Sequence, residues 1–268
     1  MSGFFRSLPL STKILASIGI LLAVVLAVNY TVFIRQYSSD INKAMAEKAG
    51  AFTAVADEAR NNQSKAIGDG SLDTEALRAE LEAAFKAGKS YRETRFFNAI
   101  PIIFGMTAAD QAARKEGLEF HVLAFDARNP DNAPAPGSFR EKMLKELTDS
   151  VTRGGDETLC RTDPSTNKLH YMRAVMLDAS CMTCHGNPTA ANDPDGDGKD
   201  MLGFRLEGWK VGDMHGAYEV QMPLTVVDQS IAGFFKSGLM FTTPVVVLCA
   251  FGFFVMLRRV VTRPITGL

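Results

Sequence analysis

Two stretches of this chain carry no charged side chain over the thickness of a bilayer. Ile14 to Ile34 is 21 residues, ILASIGILLAVVLAVNYTVFI, and Gly238 to Leu257 is 20, GLMFTTPVVVLCAFGFFVML. A hydrocarbon layer of roughly 30 Å needs about 20 helical residues, so each run is long enough to cross it. A cleaved signal peptide is the rival reading of the first run. Its apolar core is usually shorter, and no A-x-A pattern stands before Tyr30. A buried core helix is the rival for the second, and its length and apolarity count against that. Pro244 is tolerable within a span where neighbouring groups satisfy the freed carbonyl.

The flanking charges orient the pair. Arg6 and Lys13 precede the first run; Arg258, Arg259 and Arg263 follow the second. The excess of Lys and Arg lies on the cytoplasmic side, which places both termini there. The expected organisation is a cytoplasmic N-terminus (1–13), a span (14–34), an outer domain (35–237), a second span (238–257) and a cytoplasmic end (258–268). In a bacterium with two membranes the middle segment is periplasmic and the anchor is the inner membrane. Lys and Arg total 29 against 30 for Asp and Glu, a net charge of −1, so a dedicated nucleic-acid binder is excluded. Four cysteines are too few for a disulfide scaffold.

Between the spans the pattern changes along the chain. Residues 41–67 read as a helix with Ile41, Met45, Phe52, Val55 and Ala59 on one face. Asp73 to Ala87 predicts a second helix, capped by Ser71 or Asp73, with Leu77, Leu81 and Phe85 inward and Gly88 as its stop. These helices offer a surface for a homodimer, although such spacing more often means packing within one domain. Glu119–Phe125, Thr158–Thr162, Lys168–Met176 and Gly216–Met222 read as strands. Arg128–Gly137 is a proline-rich loop, and Ser138–Ser150 a short helix. Helices followed by antiparallel strands predict an α+β domain.

The chemistry concentrates at Cys181-Met182-Thr183-Cys184-His185. Two cysteines at this spacing can form thioethers to the two vinyl groups of one haem, and the adjacent histidine then ligates the iron. Covalent attachment of this kind takes place outside the cytoplasm, where the charge asymmetry puts this segment. A redox disulfide needs a βαβ setting that is not legible here. A zinc site using His185 and Cys160 lacks a second paired cluster. One covalent haem c is therefore expected.

A haem also needs propionate partners, for which Trp209, Lys210, Arg173 and Arg205 are candidates. A ligand opposite His185 can come from Met106, His121, His170, His215 or Cys160, and spacing does not choose among them. Cys249 falls within the second span. Asp193-Pro-Asp195-Gly-Asp197-Gly198 imitates the opening of a calcium loop, with glycine at the sixth place, but Phe204 stands twelfth where a bidentate Glu is usual. A solvated loop is the plainer reading. No convergent acid–base set is legible, so the chain is not read as an enzyme.

Three motifs occur in order: Arg128-Asn-Pro-Asp-Asn-Ala-Pro, Cys181-Met-Thr-Cys-His-Gly-Asn-Pro and Glu207-Gly-Trp-Lys-Val-Gly-Asp-Met-His-Gly-Ala-Tyr-Glu-Val. From about Phe96 to Leu224 the chain resembles the periplasmic haem c sensor domain of bacterial methyl-accepting chemotaxis proteins and some sensor kinases. That family is related to a single-haem cyanobacterial cytochrome. The resemblance implies a PAS-like antiparallel sheet with N-terminal helices, set between the two transmembrane helices. It also implies haem on Cys181 and Cys184 with His185 proximal. The cyanobacterial relative uses a cysteine as distal ligand ahead of the Arg-Asn-Pro loop. Here that stretch runs Asn98 to Met106 without cysteine, which brings Met106 forward. Residues 258–268 resemble the opening of a HAMP linker to a cytoplasmic signalling module.

The expected function is a membrane-bound transducer of a redox or small-molecule stimulus. The alternative is a membrane-anchored electron carrier with the same haem. A HAMP module and coiled coil after Leu268 favour the first; a stop codon favours the second.

Overall fold

A computed structural model of the chain describes residues 10–257 and 259. Residues 1–9, 258 and 260–268, which include most of the expected HAMP-like linker and of the N-terminal segment, lie outside the described residues. The chain divides into two compact units. The first holds the chain through Lys43 and again from Thr225; the second is Ala44–Leu224.

Two helices are long and apolar enough to cross a membrane; the first unit holds the N-terminal part of one and the other. Helix α1 runs Leu10–Gly68 without interruption, so the expected span and the helix expected at 41–67 are one element. Helix α7 is Thr225–Leu257 and passes through Pro244. Their apolar windows have mean hydropathies of 2.3 and 2.2 and no buried residue. Within this unit Tyr30 meets Phe235 edge-on at 4.0 Å between ring centroids, and Phe33 stacks on Phe234 at 4.7 Å.

The second unit is α+β. After α1 come α2 (Thr74–Lys86), α3 (Arg95–Ala99), α4 (Pro101–Lys115), β1 (Glu119–Leu123), α5 (Phe139–Thr152), β2 (Thr158–Asp163), β3 (Lys168–Met176), α6 (Met182–His185) and β4 (Met214–Pro223). The four strands form an antiparallel sheet in the order β1-β4-β3-β2. Asp73 is the cap of α2; its side chain accepts from the Ala76 amide. Helices α3 and α4 were not expected from the sequence. Thr94 caps α3 through the Phe97 amide, and Pro101 opens α4 at the position where a missing N–H costs nothing.

Alternation along the strands divides the sheet into two faces. Met172, Ala174 and Ala217 meet Met143, Leu144 and Leu147 of α5, with Leu123 completing this core. Burying each large side chain there contributes about 1.5–3 kcal/mol. The other face meets α1. Tyr171 reaches Gly50, Arg173 Nε donates to Thr53 Oγ1 at 3.0 Å, and Arg60 Nη1 donates to the Met176 carbonyl at 3.1 Å.

The inward stripe of α1 therefore corrects the sequence expectation. Ala49, Thr53, Ala56 and Arg60 are buried, whereas Val55 is 53% exposed. Small residues are needed because the neighbours come close. A Cβ on Gly105 of α4 would lie 2.4 Å from the Ala56 carbonyl. In α2 the third inward residue is Ala84, and Phe85 is exposed.

Candidate haem site

Asp178 starts the local structure. Its carboxylate accepts from the amides of Ser180 and Cys181, which fixes the turn that leads into α6. Ser180 Oγ is 2.9 Å from Ser64 Oγ on α1. Cys181, Thr183, Cys184 and His185 all line one cavity of about 900 Å³ between the sheet, α1, α2 and α4. That volume is at the upper end of ordinary cofactor pockets, roughly 300–1,000 Å³. The surrounding walls include Ile100, Ile103, Val122, Val175, Leu177 and Phe204.

A second segment clamps His185. The Trp209 amide donates to the His185 carbonyl at 2.8 Å, and the Gly208 amide to the Gly186 carbonyl at 3.2 Å. Gly208 has φ +79°, and a Cβ there would sit 2.9 Å from Asn187 Oδ1, so this approach requires glycine. Glu207 Oε2 is 3.0 Å from His185 Nδ1. That contact leaves Nε2 as the ring nitrogen available to a metal, the orientation that a carboxylate behind a ligating histidine ordinarily produces.

Burial is the main cause that holds the His185 pKa down, to about 4; Arg128 and His215 add to it against the pull of Glu207. Glu207 resists burial, because Arg128 and His185 keep it below the usual carboxylate range. At neutral pH the pair is a neutral imidazole donating to a carboxylate, and a neutral imidazole is the form that binds metal. Burial pushes the Cys184 thiol up to about 12, with Asp200 adding to it. Burial raises Cys181 as well.

Arg128 ties these parts together. Its guanidinium donates to Asp200 Oδ2 at 2.6 Å, to Glu207 Oε1 at 3.0 Å and to the Cys184 carbonyl at 2.6 Å. The same group lies over the Phe204 ring at 5.1 Å. Arg128 and Glu207 each open one of the three motifs, and local spacing alone assigns neither a role. Their appearance in the three ordered motifs was the available signal.

A model of the Tll0287-like family matches residues 35–223. The chain belongs to that family. No curated protein matches it. Among solved structures it is similar to the crystal structure of the cyanobacterial heme-protein Tll0287, at 23% identity. The match covers 59% of this chain and 95% of that one, with a TM-score of 0.36.

In this Tll0287-like chain the fold gathers some of the candidate residues and disperses others. Met106 of α4 and His215 line the cavity. His215 is there because the β3–β4 register shifts at Val175/Met176: Gly216 pairs with Val175 and Met214 with Met176, which leaves His215 bulged. Its ring centroid is 4.7 Å from that of His185 and 5.1 Å from that of Trp209. His215 Nε2 and Trp209 Nε1 are both buried without a hydrogen-bond partner among the described residues.

His170 belongs elsewhere. It lies on the α5 face, with Nδ1 2.7 Å from Glu219 Oε1 and its ring 5.1 Å from Phe139. Arg173 binds Thr53 and does not line the cavity. His121 pairs across β1–β4 with Glu219, on the His170 face. Cys160, on β2, does not line the cavity, and neither do Arg205 and Lys210. Arg60 does, with its side chain almost fully buried and Nε unpartnered among the described residues. Of the residues expected at the haem, His170, Arg173 and Trp209 thus do not line the cavity that Cys181, Cys184 and His185 share.

Proposed function

We propose that this chain carries one covalent haem c in the Ala44–Leu224 unit and reports the state of that haem across a membrane. The observation that carries the first part is the arrangement around α6. Cys184 and His185 lie on the short helix α6 and Cys181 caps its start, all three on the wall of an apolar cavity, and Glu207 turns the histidine so that Nε2 is left for a metal. The donor set fits haem better than zinc or a disulfide, because a large apolar cavity adjoins it and orphaned polar atoms of His215 and Trp209 lie next to His185.

When bound, the haem supplies an iron that can change oxidation state or axial ligand. The residues do the rest. Cys181 and Cys184 would anchor it through thioethers to its vinyl groups. His185 would hold the iron, with Glu207 accepting from its Nδ1–H and Arg128 fixing Glu207. Arg60, whose Nε has no partner among the described residues, would be a cationic partner for a propionate. Met106, Met201 and His215 line the same cavity and would be candidates for a second iron ligand.

The signalling part rests on chain continuity and on the sequence resemblance to haem c sensor domains with a PAS-like sheet. β4 passes from His215 at the site to Pro223, and α7, an apolar helix of membrane length, begins two residues later. With the basic flanks this supports a two-pass inner-membrane protein whose middle unit is periplasmic and whose output is a cytoplasmic signalling partner, working as a homodimer. Such a stimulus shifts the equilibrium only by its differential affinity for two conformations.

The experiment is expression of the full chain with the haem c maturation machinery, followed by a mass spectrum and optical spectra of the oxidised, reduced and carbon-monoxide-treated protein. One added macrocycle, lost in Cys184→Ser, is the expected result. A mass without the macrocycle overturns the haem reading. A low-spin spectrum indifferent to carbon monoxide removes gas sensing and leaves redox sensing or electron transfer.

A further inference from the structure

We infer that the loop Asp193–Lys199 is a binding site for one calcium ion. Asp193, Asp195 and Asp197 each bring a carboxylate oxygen into a cluster whose atoms all lie within 4.8 Å of one another. Exposed acids gather on many surfaces without an ion. Asp193 sets this cluster apart, because it is only 9% exposed. Its Oδ2 accepts the Gly198 amide at 3.1 Å, while Oδ1 is buried with no hydrogen-bond partner among the described residues. A buried carboxylate oxygen without a donor carries a desolvation cost that a coordinated cation removes.

The protein's own nearby cation does not fill this role. Lys199 Nζ pairs with Asp197 Oδ2 at 3.1 Å, on the exposed side of the loop. The donors are oxygens alone, with no histidine or cysteine in the cluster, which selects a hard cation over zinc or copper. Spacing agrees: the three aspartates take the first, third and fifth places of a calcium loop, Gly198 the sixth with φ +74°, and Lys199 the seventh, where such loops contribute a main-chain carbonyl. Phe204 at the twelfth place supplies no bidentate carboxylate, so affinity falls at the weak end of the range. None of the three aspartates lines the haem cavity, so this site stands or falls apart from the haem reading.

The test is calorimetric titration of calcium chloride into the full chain in detergent, previously stripped with chelator. Binding of one ion per chain is expected with Kd of about 10⁻⁴–10⁻³ M. Asp195→Asn and Asp197→Asn, both exposed, are expected to weaken binding at least tenfold with an unchanged circular dichroism spectrum in chelator. Absence of heat at calcium far above that range overturns the proposal. So does binding that both variants leave intact, since the ion then sits elsewhere. Magnesium binding equally well overturns the assignment to calcium.

Discussion

The guanidinium of Arg128 donates to the main-chain carbonyl of Cys184 at 2.6 Å. One side chain thereby joins the Arg-Asn-Pro loop to the cysteine helix, and its other nitrogens hold Asp200 and Glu207. Asp200 has no exposed side-chain surface, so removing Arg128 strands a buried carboxylate. Arg128→Ala is expected to cost about 3–5 kcal/mol. Arg128→Lys is expected to recover only part of this, because an ammonium cannot reproduce the fork. Urea unfolding of the full chain measures the stability, and haem content per chain measures the site. Wild-type haem content in both variants contradicts this role.

Glu207 contacts His185 Nδ1 at 3.0 Å and would act on a haem iron only through that ring. Glu207→Gln keeps a hydrogen-bond acceptor but removes the charge that makes the imidazole more basic. Haem should remain attached, because both thiols are intact, while the reduction potential rises. His185→Ala should go further and change the spin state. Potentiometric titration and the visible spectrum separate the two variants; identical potentials in Glu207→Gln and wild type would count against the coupling.

Gly105 and Gly50 make a graded pair. A Cβ at Gly105 meets the Ala56 carbonyl at 2.4 Å, a backbone atom that can move only with the helix. At Gly50 it meets the Tyr171 hydroxyl at 3.2 Å, the far end of a side chain. Gly105→Ala is expected to cost about 1–3 kcal/mol from overpacking. For a unit of this size that is a drop of about 3–10 °C in Tm. Gly50→Ala should cost less. A larger loss at Gly50 would show that α4 yields more easily than the sheet.

On the opposite face, Glu219 is fully buried between His170, Arg140 and Gln221. Burial works against its charge, yet these three partners hold its pKa below the ordinary range. Glu219→Ala should destabilise by about 3–5 kcal/mol, since His170 and Arg140 lose their anion. Because this network is remote from the cavity, the haem spectrum of whatever protein remains folded should be unchanged.

Acid should destabilise the haem-free chain. His185 has a folded pKa of about 4 against 6.5 for an unconstrained histidine, so the unfolded state takes up the proton first. Stability falls as pH drops from 6.5 toward 4, by up to about 3 kcal/mol. Glu207 and Glu219, both depressed, add stability that is present above the unfolded carboxylate pKa and lost as pH falls through their folded values. The contributions run in the same direction. Denaturant midpoints at pH 7, 5.5 and 4.5 check this, and His185→Asn should flatten the upper part of the curve.

The elements legible in the chain were those with a local signature. The alternating strand Lys168–Met176 is the observed β3 to the residue, and Asp73 caps α2 through its own side chain. Both depend on neighbours a few positions away. Helix α4 carries no large apolar stripe inward, because its buried residues, Gly105, Ala109 and Ala113, are small, and α3 is five residues long with none buried. The inward face of α1 was misread for the same reason. Large residues such as Val55 drew attention, while close packing selected Ala49, Thr53 and Ala56.

The sequence by itself determined two membrane-length apolar helices, an α+β middle unit and the Cys181–His185 pentapeptide, because length, alternation and short spacing are properties of adjacent residues. Only the tertiary structure decided that His215 joins His185 while His170 turns to Glu219, and that Arg128 binds the Cys184 carbonyl across 56 positions. A one-residue bulge places His215 in the cavity, and strand alternation sends His170 to the far face. Those outcomes depend on how strands pair, which no local spacing specifies.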